Sequence, residues 1–471
     1  MSVATAETTI VLSLVAHTNV GKTTLARTLL RRDVGEVRDM AHVTEVAEAY
    51  DLVEAGTARL VLEDTPGFGD TPRLLKRLRA QGNPIGWVLH TVWDRRRDRP
   101  LWCAQEAVRS AKERADAVLY LVNAAEAPED AGYLGPEMEL LAWIGKPTLL
   151  LLNQTGVASG DDLTAAWRAF ASGHPIVREV LPLDAFTRCW VEERGLLGRV
   201  AAVLPPEKRP AMDAVLAAFE ARLLAAHGRC VEGMADHLAR AAADRVPLPL
   251  KAGQGEKRKA MQALAERLER STKDLMRTLI AEHGLDGSSA ARIEESLGDF
   301  VVRGAKEADP KRGGLLGAIV GGAVSGLAAD LATGGLTFGG GAVLGALLGA
   351  HTGAGLAKAY TMAGSGTSPS VTWTTEALAR VARATLARYL AVAHYGRGRG
   401  GWQDLDHPPA WDAKVLETYA LHAPAIEHAL RTMSNAGAVP DPERRVLAAA
   451  LDRWTKDALK GLYPEAAAWL P

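Results

Sequence analysis

Short apolar runs alternate with stretches of helical periodicity over roughly the first 190 residues of the chain. A continuous apolar run bounded by turn residues is typical of a strand buried on both faces of a sheet. Strands that alternate with helices form a mostly parallel sheet covered by helices. We therefore expect an α/β domain with a doubly wound, mostly parallel sheet. Its apolar runs occupy residues 10–16, 58–64, 117–123, 147–153 and 176–183.

One pair of runs predicts a different connection. Residues 50–53 and 59–62 are separated only by the turn-like sequence Glu54-Ala-Gly-Thr57. A link this short joins antiparallel strands, because a parallel pair needs a longer crossover. The sequence therefore predicts a β-hairpin at this point.

The strand pattern stops after Pro205 and Pro206. Beyond them the apolar residues recur at helical spacing, as Leu264, Leu268 and Leu275 do, which predicts amphipathic helices packed into a core. We expect an α/β domain over residues 1–204 and an all-α domain over residues 205–471. The predicted helices of the second domain cover residues 212–245, 257–280, 374–393, 415–433 and 444–462.

Residues 313–358 consist mainly of Gly, Ala, Leu and Val, and Asp330 is their only charged residue before Lys358. Glycines recur every four residues in both halves of the segment, a spacing that puts small residues on one helix face and lets another helix approach closely. The pattern predicts a helical hairpin. Two interpretations stay open: the hairpin engages a membrane or a partner protein, or it packs inside a helical domain.

The composition narrows the class of protein. A chain of 471 residues is expected to form two or three domains, and a formal net charge of -1 argues against a nucleic-acid surface spread over the molecule. The three cysteines have neither zinc-site nor disulfide spacing, which fits a reducing compartment. No signal peptide is recognisable before the first strand. We expect a cytoplasmic protein, in which the hairpin is the candidate for contact with the inner membrane.

The first strand runs into a loop that carries candidate phosphate-binding groups. The sequence Ala16-His-Thr-Asn-Val-Gly-Lys-Thr23 separates the strand from a helical run. In such a loop successive backbone N–H groups and a helix N-terminus point at phosphates, a lysine reaches the β- and γ-phosphates, and the next hydroxyl binds Mg²⁺. Lys22 and Thr23 are the candidates for the last two roles. The backbone candidates for nucleotide binding are Asn19, Val20, Gly21, Lys22, Thr23 and Thr24.

A second motif follows another apolar run. The sequence Asp64-Thr-Pro-Gly67 is placed where a carboxylate can meet the Mg²⁺ and where the N–H of Gly67 can meet the γ-phosphate. Two motifs in this order, each at the carboxyl end of a strand, are expected at the phosphate site of a nucleotide-hydrolysing α/β domain.

Together these residues resemble the Era-like GTPases of the translation-factor-related class of Ras-like domains, over residues 10 to about 190. The resemblance implies that GTP and Mg²⁺ are bound. It makes Thr44 the candidate switch I threonine for Mg²⁺ and the γ-phosphate, with a solvated loop threonine as the alternative. It makes Asn19 a candidate ligand for a potassium ion, or simply a residue that tolerates the turn.

Two positions depart from the family pattern. Phe68 stands where Ras-like enzymes carry the glutamine that orients the attacking water, and an apolar side chain cannot do so. Gly156 stands where the guanine-recognising aspartate is expected, after Asn153, which remains a candidate for contacting the base edge and tying down the phosphate loop. Preference for GTP over ATP is therefore left open.

An insertion, residues 71–115, follows the second motif. It is rich in arginine and contains Trp87, Trp93 and Trp102. The insertion is a candidate for self-association of the GTPase domain or for effector binding, and the alternative is a solvated face.

The whole layout is similar to uncharacterised bacterial GTPases with a C-terminal domain of unknown function. We expect a GTP-binding and GTP-hydrolysing switch, whose nucleotide state controls assembly or membrane attachment through the helical domain. The alternative is a weakly catalytic or non-catalytic nucleotide-binding scaffold or subunit of a partner complex. No RNA-binding module is recognisable in the sequence, so no specific nucleic-acid partner is predicted.

Overall fold

The computed structural model describes nine stretches of the chain, and every structural statement below refers to them. They are residues 7–18, 20–31, 47–80, 99–153, 161–183, 189–285, 360–363, 369–394 and 409–471. The chain divides into two compact units. The first is formed mainly by residues 1–224 and the second by residues 225–393 and 400–471.

A six-stranded sheet forms the centre of the first unit. Its order is β2-β3-β1-β4-β5-β6, and all neighbours are parallel except β2 and β3, which form the predicted hairpin. The strands are β1 (Thr8–Ala16), β2 (Glu48–Ala55), β3 (Ala58–Asp64), β4 (Ala117–Asn123), β5 (Thr148–Asn153) and β6 (Val177–Pro182).

The order of the strands determines where a ligand can bind. β1 lies between β3 and β4, and the chain crosses from β3 on one side of β1 to β4 on the other. In an open parallel sheet ligands bind outside the carboxyl ends of the strands, where the order reverses in this way. The ends of β1 at Ala16 and of β3 at Asp64 lie next to each other, because Leu14 is in register with Asp64.

Helices cover this sheet because their apolar faces pack against it. They are α1 (Lys22–Leu30), α2 (Thr71–Arg79), α3 (Arg99–Glu113), α4 (Leu134–Ile144), α5 (Asp161–Ser172) and α6 (Trp190–Val203). α2 begins where the side chain of Asp70 accepts a hydrogen bond from the N–H of Arg73, an N-terminal cap that satisfies an otherwise unpaired donor.

The described parts of the insertion are core helices. Leu74, Leu75 and Leu78 of α2 and Leu101 and Val108 of α3 belong to the same buried cluster as the strands. The arginines therefore lie on helices whose other face is buried, as expected for a surface helix of a globular domain. Trp87, Trp93 and residues 95–98 lie outside the described residues, so self-association through the insertion stays a prediction.

A long helix, α7 (Arg209–Ala243), follows a single 3₁₀ turn at Pro206–Lys208. The compact units divide at residue 224, inside this helix. The boundary at 204/205 marks the end of the strand pattern rather than a break in the chain. That boundary stays a prediction of sequence pattern alone.

The second unit is mostly helical, as predicted, but it also contains a small antiparallel sheet of order β7-β9-β8. Its strands are β7 (Arg245–Pro247), β8 (Tyr360–Ala363) and β9 (Ser370–Trp373). Besides the second half of α7, its helices are α8 (Gln254–Glu282), α9 (Thr375–Ala393), α10 (Pro409–Ala436) and α11 (Asp441–Leu462), followed by a 3₁₀ turn at Pro464–Ala468.

The fold class is confirmed: an α/β domain with a mostly parallel sheet precedes a helical region. Residues 313–358, the predicted glycine-rich hairpin, lie outside the described residues. Within the described part of the chain, none of the helices combines the length and the apolar composition needed to cross a membrane.

Candidate functional site

The loop between β1 and α1 is shaped by a glycine. Gly21 has φ of +98°, in the left-handed region that favours glycine, and the helix begins with the N–H of Leu25 donating to its carbonyl. Space is as restrictive as conformation, because a Cβ at Gly21 would lie 2.7 Å from Nδ2 of Asn153. That same nitrogen donates a hydrogen bond of 2.6 Å to the carbonyl of Val20. Asn153, which is fully buried, thus ties the end of β5 to the loop.

The two sequence motifs meet at a hydroxyl and a carboxylate. Oγ1 of Thr23 donates to Oδ2 of Asp64 at 2.7 Å, and Asp64 is 2% exposed. The other carboxylate oxygen, Oδ1, is buried and has no hydrogen-bond partner among the described residues. An unpaired buried carboxylate oxygen is costly. Nucleotide-hydrolysing α/β domains hold Mg²⁺ with a hydroxyl oxygen and a carboxylate oxygen. Thr23 and Asp64 supply both, so these residues fit the ion.

Lys22 lies next to this pair. A Cβ at Gly67 would lie 3.2 Å from its Nζ, so the turn after β3 is packed directly against the ammonium group. Burial lowers the pKa of Lys22, while the negative charges of Asp64 and Glu137 oppose that shift. Burial likewise raises the pKa of Asp64, against the charge of Lys22. A lysine and an aspartate whose charged forms are both costly to bury thus lie together, which makes this position a candidate functional site.

The side chain of Phe68 lies in the core, although the family resemblance aligns this residue with a glutamine that orients water. Its side chain is completely buried in the core cluster, and its N–H donates to the carbonyl of Ala16 at 2.9 Å. Thr65 anchors the same turn by donating to the carbonyl of Leu14 at 2.5 Å. The turn is therefore held against β1 by backbone contacts and apolar burial, and Phe68 can orient no water.

The other predicted site residues fall into two groups. Val20 and Thr24 are buried in the loop and the first turn of α1, beside Lys22. Asn19, Thr44 and Gly156 lie outside the described residues. The predicted roles of Asn19 with potassium and of Thr44 with Mg²⁺ stay predictions, as does the effect on base preference of Gly156 in place of an aspartate.

Sequence reasoning missed a buried polar cluster behind the loop. Glu137 of α4 is 0% exposed, with Oε1 2.7 Å from Nδ1 of His17 and Oε2 accepting from the hydroxyl of Tyr120 at 2.7 Å. Its signal in the sequence is a carboxylate at a helical position that the apolar periodicity assigns to the core. The partners could not have been found, because 120 residues separate His17 from Glu137.

Two families match the chain. The family described as "50S ribosome-binding GTPase" matches residues 11–154, and the family described as "Domain of unknown function (DUF3482)" matches residues 177–451, more than half of the chain. The first match contains Lys22, Thr23, Asp64 and Asn153. The second contains most of the helical unit.

Individual relatives resemble the first unit. The chain is 29% identical over 168 residues to the GTPase Der of Mycobacterium bovis and to that of Mycobacterium tuberculosis. The aligned residues cover 35% of this chain and 30% of each relative. It thus spans about a third of the length of the curated relatives it matches.

Among solved structures, the chain is similar to Era of Aquifex aeolicus bound to GDP and AlF4⁻, with 17% identity and a TM-score of 0.32. That match covers 58% of this chain and 89% of the other. A GTP-binding protein of the archaeon Sulfolobus solfataricus in complex with GDP has 17% identity and a TM-score of 0.25, over 37% of this chain and 46% of that one.

The matched families and the paired motifs at the carboxyl ends of β1 and β3 agree with each other. The chain belongs to the family defined by the DUF3482 domain of unknown function, and that domain follows an N-terminal region that matches the family described as "50S ribosome-binding GTPase".

Proposed function

We propose that this protein binds and hydrolyses GTP as a molecular switch. The observation that carries the proposal is the contact of Thr23 with Asp64, beside a buried lysine and with one aspartate oxygen left unpaired. The first unit of the protein also matches the GTPase family and the GTPase Der relatives, which supports the proposal.

The chain's own groups account for most of the chemistry. The N–H groups at the start of α1 would donate to a phosphate, and the helix dipole favours negative charge there. Lys22 would neutralise charge on the transferred phosphoryl group, and the N–H of Gly67 would meet its oxygens. Thr23 and Asp64 would hold Mg²⁺, which when bound spreads the negative charge of the β- and γ-phosphates.

Water activation needs a group other than Phe68. The proposed sources are a potassium ion held with the help of Asn19, as the family resemblance implies, or a partner molecule that supplies a polar side chain. We propose that Thr44 completes the Mg²⁺ site when nucleotide is bound. We further propose that the nucleotide state controls self-assembly or attachment to a membrane through the region that includes residues 313–358, and the support for this is the glycine spacing of that segment.

A second candidate function is a nucleotide-binding scaffold with little or no turnover. The complete burial of Phe68 favours it, because the turn after β3 offers no polar side chain at that position. Both candidates use the same phosphate site and differ only in whether the nucleotide is hydrolysed.

Turnover and binding measured separately distinguish the two. The full chain is assayed with GTP and with ATP, in potassium and in sodium, beside the variant Lys22→Ala. Potassium-stimulated GTP hydrolysis that is lost in Lys22→Ala supports the switch. Nucleotide binding without turnover in every salt supports the scaffold. For the helical region, flotation with anionic liposomes is compared with and without a non-hydrolysable GTP analogue.

A further inference from the structure

A buried carboxylate lies behind the phosphate-binding loop, and the proposed hydrolysis gives it no role. Glu137 is 0% exposed, a placement that is costly for a carboxylate unless hydrogen bonds compensate. The Tyr120 hydroxyl donates to one of its oxygens, and Nδ1 of His17 contacts the other, each at 2.7 Å. Both oxygens are therefore fixed in place, and they in turn fix the His17 ring.

His17 occupies the second position of the phosphate-binding loop, directly after β1. Its backbone forms a parallel bridge with Phe68, and its ring stacks on Tyr133 with centroids 4.4 Å apart. One residue thus joins the loop, the turn after β3 and α4. About a third of its side chain is exposed, and within the described ranges its Nε2 has no hydrogen-bond partner.

The contact between His17 and Glu137 is a strong candidate for fixing the loop. Leaving a buried carboxyl oxygen without its partner costs more than a typical hydrogen bond contributes on balance. Successive N–H groups of the loop have to point at one phosphate, and a small displacement of these groups weakens the binding of that phosphate. Without a donor at Nδ1, Glu137 would lose one of its two compensating hydrogen bonds and the first turn of the loop would lose its anchor.

We propose that Glu137 is a positioning residue for the phosphate-binding loop, acting through Nδ1 of His17. This inference rests on the proposed nucleotide site, but it requires only nucleotide binding and not hydrolysis. Its measurable consequence is the rate at which bound nucleotide dissociates.

Two substitutions at residue 17 separate the two ring nitrogens. His17→Asn places an amide N–H close to the position of Nδ1, whereas His17→Gln places one close to the position of Nε2. The probe is a fluorescent GTP analogue with Mg²⁺, released from the full chain by excess unlabelled GTP. We expect the analogue to dissociate about tenfold faster from His17→Gln and His17→Ala than from the wild type, as the loss of one hydrogen bond to a buried carboxyl group predicts. His17→Asn is expected to stay within about threefold, because it keeps that bond.

The partner residue is tested on the same helix. Glu137→Ala is expected to match His17→Ala, and Glu137→Gln, which keeps an acceptor oxygen, is expected to fall between them and the wild type. Glu139→Ala is the matched control, since among the described residues Glu139 makes an exposed ion pair with Arg79 and no contact with His17. Its dissociation rate is expected to equal that of the wild type.

Several outcomes overturn the proposal. They are wild-type rates in His17→Ala and Glu137→Ala, equal rates in His17→Asn and His17→Gln, or slow dissociation in His17→Gln with fast dissociation in His17→Asn. Thermal midpoints are measured alongside, and rates that merely follow the loss of stability across all variants also overturn it. If the wild type binds GTP without turnover and the expected order of rates holds, hydrolysis fails and the positioning role stands. If the wild type binds no nucleotide, both fail.

Discussion

Nδ2 of Asn153 lies 2.6 Å from the carbonyl oxygen of Val20 and would lie 2.7 Å from a Cβ at Gly21. The end of β5 therefore holds the phosphate-binding loop so closely that the loop has no room for a side chain at residue 21. Conformation and space demand glycine at this position for independent reasons.

Gly21→Ala is expected to abolish GTP binding while leaving a folded protein. The left-handed backbone costs a non-glycine residue about 1–2 kcal/mol, and the methyl group must displace Asn153. Isothermal titration with GTP and a thermal midpoint measure the two effects. Gly195→Ala in α6 is the control, because a Cβ there meets no described atom within 4 Å. This substitution is expected to be neutral or stabilising. Unchanged GTP affinity in Gly21→Ala would contradict the geometry.

Asn153→Ala is expected to weaken GTP binding by tenfold or more, since the carbonyl of Val20 loses its donor and the loop loses its tie to β5. Asn153→Asp should be at least as damaging, because it turns a carboxylate oxygen toward that carbonyl. Asn123→Ala, at the position in register on the neighbouring strand, provides the control. If Asn123→Ala weakens binding as much as Asn153→Ala, the effect does not come from the contact with Val20.

Thr23→Ala is expected to raise the Mg²⁺ concentration needed for GTP binding by about tenfold, since it removes one proposed protein oxygen and the partner of Asp64. GTP affinity is measured across a Mg²⁺ titration. Thr28→Ala in the same helix is the control, because its hydroxyl donates to the backbone carbonyl of Thr24 and not to a carboxylate of the proposed metal site. An unchanged Mg²⁺ midpoint in Thr23→Ala would remove Thr23 from the metal site.

The helical unit should lose stability in mild acid because of His237. Burial, together with the charges of Arg388 and Arg240, lowers the pKa of His237 from 6.5 to about 3. The ring is 1% exposed, with Nδ1 2.8 Å from the hydroxyl oxygen of Ser271. The folded protein keeps this ring neutral, whereas the unfolded chain protonates it below its ordinary pKa. Its contribution to stability is thus complete above pH 6.5 and is lost as the pH falls toward 3.

Between pH 6.5 and pH 5 this loss amounts to about 2 kcal/mol for one histidine. Urea unfolding of the wild type and of His237→Asn at both pH values measures it, since asparagine can keep a donor toward Ser271 without titrating. We expect the variant to lose about 2 kcal/mol less over the interval. His428→Asn, at an exposed position of α10, is the control. Equal pH dependence in the wild type and in His237→Asn would contradict the assignment.

Local pattern located most of the sheet and both phosphate motifs. Apolar runs with turn residues at their ends fixed β1 and β3, and the loop chemistry after each run depends on neighbours in sequence. The small sheet of the second unit was missed because β7, β8 and β9 have only three or four residues each, and because β7 pairs with β9 across more than a hundred residues of chain. Strands of this length contain too few apolar positions to show the alternation that identifies a strand in a sequence.

The insertion shows the same division. Its arginines and tryptophans favoured an exposed contact surface, whereas the leucines of α2 and α3 lie in the core. Composition reports what a segment contains, but only packing reports which side of each helix faces inward. The predicted role of the insertion in self-association therefore remains open to test.

By itself the sequence determined that a glycine-lysine-threonine loop and an aspartate-threonine-proline-glycine turn follow two buried strands, because each motif is contiguous in the chain. Only the tertiary structure decided that Thr23 contacts Asp64, that Phe68 is buried, and that Glu137 supports His17. Those contacts join residues from different strands and helices. Their formation depends on strand order and on the packing of helices against the sheet, which no local pattern of residues specifies.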